Sequence, residues 1–207
     1  MLVFKAFSAL LSYPGEEMRQ ALPEIAEVVR ASAIVAARER DALLALIDEV
    51  GEGSLLAAEE RYVDLFDRGR VLSLHLFEHL HGDGRDRGAA MVELKALYAA
   101  AGFELTASEL PDYLPVVLEY LSLRDLAEAR ELLADCAAIL ASICRSLLAR
   151  QSRYAAVIQA LLVIAGEKPI DAAGVKPVRE QTETLDSDWT ERPAFADAAP
   201  SGGGSTI

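Results

Sequence analysis

The residues best placed to do chemistry are two histidines and a glutamate in the run His75-Leu76-Phe77-Glu78-His79. On a helix His75 and His79 stand at i and i+4 on one face, a spacing that offers two imidazoles to zinc, with Glu78 beside them as a general base. That is the pattern of a zinc-dependent peptidase. It supplies only two ligands, His81 falls off the same face, and a third would have to be a distant carboxylate. The same side chains serve as hydrogen-bonding groups on a half-buried helix made otherwise of Leu72, Leu74, Leu76, Phe77 and Leu80. The sequence favours this plainer reading, because two ligands specify little.

Other routes to catalysis are weaker. The loop Asp83-Gly84-Arg85-Asp86-Arg87-Gly88 has the outline of a calcium loop, but Arg85 and Arg87 occupy positions that need oxygen ligands, and Leu94 stands where a bidentate glutamate belongs. Cys136 and Cys144 lack a CxxC spacing. If both lie on one helix they are about 12 Å apart along its axis, too far to bridge, so they read as buried thiols in a reducing compartment. No glycine-rich phosphate loop and no serine in a nucleophile context is present.

A binding role fits better. Tyr62, Phe66, Phe77, Tyr113 and Tyr120 alternate with Glu59, Glu60, Asp64, Asp67, Glu78, Asp112 and Glu119 in the middle of the chain. Aromatic walls with an acidic rim suit a basic amphipathic peptide, although the same residues also describe a core and its solvated face.

The elements that must position these groups are helices. Apolar residues recur at helical spacing over 2–11, 38–50, 55–67, 87–101 and, after a start near Asp112, into the following segment. Pro23 is expected to break or restart a helix spanning 16–31, and a short helix is expected over 72–80. Ser54 reads as an N-cap, Asp86 as the cap of the 87–101 helix and Gly102 as its terminator. Asp125 and Glu128 resemble a capping box opening one long helix that runs to Arg150, and a last helix spans 152–165. No stretch has the alternation of a strand. The expectation is an all-α fold, a single domain of about eight to ten helices over residues 1–170.

Composition agrees. The chain has 207 residues, 52% hydrophobic, with 33 acidic against 20 basic side chains and a formal charge of −13. That balance disfavours nucleic acid and anionic lipid and favours a basic partner. The longest apolar run, 155–165, is short of the roughly 20 residues that cross a bilayer, and the N-terminus lacks a signal-peptide pattern, so a cytoplasmic protein is expected. Residues 171–207 hold seven acidic and three basic side chains with few apolar ones beyond Trp189 and Phe195. They are expected to form a disordered acidic tail.

Two blocks carry a family resemblance. The stretch from Tyr62-Val63-Asp64-Leu65-Phe66-Asp67-Arg68-Gly69-Arg70 through Ser73–Asp83 to Arg85-Asp86-Arg87-Gly88, and the run Glu109-Leu110-Pro111-Asp112-Tyr113-Leu114-Pro115, closely resemble the nitrate reductase molybdenum cofactor assembly chaperones. With the opening Phe4–Pro14 segment the resemblance spans about residues 2–165. It implies an all-helical chaperone of the redox-enzyme maturation group, not an enzyme and holding no cofactor of its own. Such a chaperone binds the N-terminal basic segment of the apo catalytic (alpha) subunit of respiratory nitrate reductase. It keeps that subunit competent for molybdenum cofactor and iron–sulfur insertion before membrane docking, without nucleic-acid binding or membrane insertion of its own. In the wider group the Tyr-x-x-Leu-Phe pattern corresponds to Tyr62, Leu65 and Phe66, while Tyr113 stands where many relatives carry histidine. The resemblance makes the zinc match incidental. The expected peptide-binding residues are Tyr62, Leu65, Phe66, Asp67, His75, Glu78, His79, Asp112, Tyr113 and Glu119.

Overall fold

The computed structural model describes residues 1–81, 85–105 and 109–177. The acidic tail, with Trp189 and Phe195, lies outside them, as do Gly82-Asp83-Gly84 and Thr106-Ala107-Ser108. Among the described residues the fold is all-α with ten α-helices: α1 (Leu2–Leu11), α2 (Glu16–Ala31), α3 (Ala37–Gly51), α4 (Leu55–Phe66), α5 (Glu78–His81), α6 (Arg85–Ala100), α7 (Leu114–Ser122), α8 (Leu126–Asp135), α9 (Ala137–Ala149) and α10 (Ala155–Ile164). Single 3-10 turns sit at Arg70–Leu72 and Ala172–Gly174. None of the described helices is both long and apolar enough to cross a membrane alone.

Two helices without a continuous polar face form the centre. In α1, Phe4, Phe7, Leu10 and Leu11 are fully buried, and α1 packs on α7 and α2. In α10, Val157, Ile158, Leu161 and Leu162 are buried between α9, α3 and α8. A helix apolar on most sides is stable only when covered from most sides, so these two fix where the amphipathic helices lie. The compact unit runs from Met1 to Pro177.

Local signals behave as their chemistry dictates. Ser54 accepts from the Ala57 amide at 3.2 Å, and Asp125 accepts from the Ala127 and Glu128 amides at 2.9 Å. Gly102 ends α6 at a φ of 71°, a left-handed conformation that glycine adopts without strain.

Four local expectations are corrected. Pro23 sits inside an unbroken α2. It lies on the exposed side, where water can take up the carbonyl that loses its helical donor. Asp86 falls within α6 rather than ahead of it. The long helix to Arg150 is two helices meeting at Cys136 with a 71° bend. No glycine or proline marks that bend; it lets both α8 and α9 pack on α10. Finally, 72–80 is not a helix. A 3-10 turn leads into extended backbone, and only from Glu78 does helix resume.

Candidate functional site

That last correction decides the geometry around the histidines. Residues 74–76 run antiparallel to 112–114, with His75 bridged to Tyr113. The Leu76 amide donates to the Asp112 carbonyl at 3.0 Å and the Leu114 amide to the Leu74 carbonyl at 2.8 Å. Local sequence favoured a helix here, but Asp112 offers the backbone a better partner. Its side chain is fully buried; Oδ2 accepts from the Phe77 amide at 3.1 Å, and Oδ1 accepts from His75 Nδ1 at 3.3 Å. Arg87 on α6 brings its Nη2 to 3.7 Å from Asp112 Oδ2 and 3.4 Å from Glu78 Oε1. A buried carboxylate is tolerable only with such company.

His75 and His79 therefore do not share a helical face. Nε2 of His79 donates to the Ser73 carbonyl at 2.9 Å, and Nδ1 of His75 is turned to Asp112. Among the described residues no three His, Cys, Asp or Glu side chains converge as metal ligands. In this arrangement both imidazoles brace the chain instead of standing side by side as a pair of helical ligands.

Beside this junction lies an aromatic assembly. Tyr62 is buried at the centre of α4, and its hydroxyl donates to the Leu11 carbonyl at 2.8 Å. The Tyr113 hydroxyl stands 3.1 Å from it and, Tyr62 having used its proton, acts as the donor. Phe66 packs on Tyr62 at 4.9 Å between ring centroids and on Tyr154 at 5.2 Å. His75 stacks on Tyr113 at 5.1 Å, and Tyr13 meets Tyr62 edge-on at 5.7 Å. Burial first, and then neighbouring tyrosines, push the Tyr62 hydroxyl far above its ordinary value; burial chiefly raises that of Tyr113. Burial raises the Tyr13 hydroxyl as well, and the charge of Asp67 adds a smaller push to all three tyrosines.

The expected residues thus separate by depth. Tyr62, Phe66 and Asp112 are internal, and they hold the surface from beneath. Leu65, His75, Glu78, His79 and Tyr113 are half-buried, and Asp67 is exposed. Glu119 is exposed on α7, where it lines a depression of about 500 Å³ with Met1, Leu2, Lys5, Phe103, Ser122 and Leu123. Two residues that sequence reasoning passed over belong with the group. Arg87 reads as a misplaced ligand in a failed calcium loop, yet it is the cation beside Asp112. Tyr13 follows α1 directly and is 51% exposed. A large aromatic beside a proline, just past a core helix, is the signal that could have found it.

Residues 15–158 match the family model described as nitrate reductase delta subunit. The chain is 38% identical over 204 residues to the nitrate reductase molybdenum cofactor assembly chaperone NarJ of Escherichia coli K12, covering 95% of this chain and 86% of that one. The chain belongs to the nitrate reductase delta subunit family. Relatives of this assembly-chaperone family also include the nitrate reductase-like protein NarX of Mycobacterium tuberculosis, 31% identical over 77% of this chain but only 24% of that longer protein. The fold recurs in the crystal structure of a proposed redox enzyme maturation protein from Archaeoglobus fulgidus, with a TM-score of 0.56 at 21% identity over 79% of this chain and 92% of that one. The chain is thus a maturation chaperone and not an enzyme.

Proposed function

We propose that this chaperone binds the N-terminal segment of the apo catalytic subunit of respiratory nitrate reductase in the cytoplasm. It would hold that subunit until the molybdenum cofactor and iron–sulfur centres are inserted, and delay its docking on the membrane. The observation that carries the reading is the 38% identity to an assembly chaperone across 86% of that protein's length. The aromatic and acidic surface around Tyr113 supports it, since it suits a basic amphipathic segment. In this reading Leu65, Asp67, His75, Glu78, His79 and Tyr113 touch the peptide. Tyr62, Phe66 and Asp112 position them, and Glu119 makes a separate contact.

Calorimetric titration with a synthetic peptide of that N-terminal segment tests the proposal. Saturable binding, lost on scrambling the peptide, is the expected result. Absence of heat at low salt, or equal binding of the scrambled peptide, would count against it.

A further inference from the structure

A cavity of about 230 Å³ lies between α3, α10, the end of α9 and the segment that follows α10. Its walls are mostly apolar, with Ala42 on α3, Leu148 on α9, Ala156 on α10 and Ile170 beyond it. The segment over it is pinned. Gln159 Nε2 donates to the Ile170 carbonyl at 2.9 Å, and Oε1 of the same side chain accepts from the Cys144 thiol at 3.1 Å. The cavity is a formed part of the fold and not a gap between loose segments.

One charge faces it without a counterpart. Glu39 lines the cavity and is 5% exposed, and among the described residues its carboxylate has neither a hydrogen-bond nor an ion-pair partner. It is not sealed in the core either, since the fully enclosed polar atoms without a partner belong to Arg40 and Arg124. The little surface that Glu39 keeps is therefore the part that lines the cavity. Two guanidinium groups at the rim leave it unneutralised: Arg153 is taken by Glu49 at 2.7 Å, and Arg38 is exposed and forms no salt bridge with a described residue. Glu39 stands in the first turn of α3, where the helix dipole favours an acid. The dipole accounts for the charge but not for its enclosure, because Arg38 and Ala42 beside it are exposed. A carboxylate withdrawn from bulk water without a partner is costly, and a cation from outside the chain removes that cost.

We propose that this cavity binds a small organic amine, its protonated nitrogen on Glu39 and a compact apolar body against Ala42, Leu148, Ala156 and Ile170. The volume lies below the roughly 300–1,000 Å³ of pockets for drug-sized ligands, which restricts the body to a few carbons. A metal ion fits less well: among the described residues no three His, Cys, Asp or Glu side chains converge, and apolar walls suit an organic body. None of the residues assigned to the client peptide lines the cavity, so the inference stands apart from the function proposed above.

The full-length chain is titrated with isoamylamine, and with isoamyl alcohol as a neutral molecule of the same shape, while backbone amide resonances are followed by NMR. The expected result is saturable shifts with the amine, centred on residues 38–45, 148–159 and 170–172, and binding at least tenfold weaker with the alcohol. Glu39→Gln keeps the size of the side chain and removes its charge, and should weaken the amine at least tenfold in a chain that keeps its helical circular dichroism. Ala42→Phe, at an exposed edge of the cavity, keeps Glu39 and should abolish the shifts by filling the space. Equal affinity for amine and alcohol, amine binding that survives Glu39→Gln, or no saturable shift in the parent chain would overturn the site. Should Glu39→Gln not fold, Ala42→Phe decides, and amine binding retained there overturns the proposal.

Discussion

Asp112 shows how one side chain decides local structure. With its carboxylate buried against His75, the Phe77 amide and Arg87, it holds 74–76 against 112–114 and 76–77 in a turn where the leucine-rich pattern favours helix. Asp112→Ala removes the acceptor of the Phe77 amide and one of the carboxylates beside Arg87, and should cost about 3–5 kcal/mol in chemical denaturation. Asp112→Asn keeps an acceptor for Phe77 and should cost less, about 1–3 kcal/mol. Equal costs would mean that the charge facing Arg87, and not the acceptor for the Phe77 amide, carries the contribution of Asp112. The importance of Asp112 was legible in its sequence block, but its role was not. Nothing in a linear pattern says that a carboxylate near residue 112 will reach the backbone at 77. Phe66 teaches the same lesson in reverse. Read from sequence as a wall of the groove, it is 6% exposed between Tyr62 and Tyr154. Phe66→Ala should therefore cost about 3–5 kcal/mol of stability before any effect on binding is measurable.

At the scale of elements, the signals that held are those whose partners lie within a few residues. Ser54 and Asp125 cap the helices they precede, and Gly102 closes α6. The failures at Pro23, at 72–80 and at Cys136 all have long-range causes: solvent on the outer side of α2, the pairing with 112–114, and the competing claims of α8 and α9 on α10. Glu128 shows both behaviours at once. Its amide takes the Asp125 cap, but its carboxylate accepts from the Tyr120 hydroxyl at 3.0 Å, a tertiary bond in place of the reciprocal half of a capping box. Two substitutions separate local from tertiary control. Gly102→Ala meets no neighbouring atom within 4 Å, so its penalty is conformational, about 1 kcal/mol by thermal denaturation. Asp125→Ala should cost a similar amount, about 1 kcal/mol, through two lost amide bonds at the start of α8. A much larger loss at either site would mean that the helix end carries tertiary contacts beyond its cap.

For the molecule as a whole, the core is rich in groups that are neutral when folded and anionic when strongly alkaline. Burial pushes the Cys136 and Cys144 thiols up to about 11 and the Tyr154 hydroxyl to about 12, and it lifts Tyr62 and Tyr98 further. In each case the folded chain holds its proton more tightly than the unfolded chain, whose thiols and phenols titrate near 9.0 and 10.0. In that window the native state binds more protons, so stability falls as pH rises. The contribution of these groups is complete below about pH 9 and is lost progressively toward pH 11–12, on the order of 1.4 kcal/mol for each unit of separation per group. With a formal charge of −13 near neutrality, each ionisation also adds to self-repulsion. Melting temperature should therefore be flat between about pH 7 and pH 9 and drop steeply above. The absorbance of tyrosinate should rise together with the loss of helical circular dichroism rather than ahead of it, because Tyr62, Tyr98 and Tyr154 can ionise readily only once the packing around α4, α6, α7 and α10 has opened. Most tyrosines ionising near pH 10 in a chain that keeps its helical signal would show that their hydroxyls reach water in the folded state.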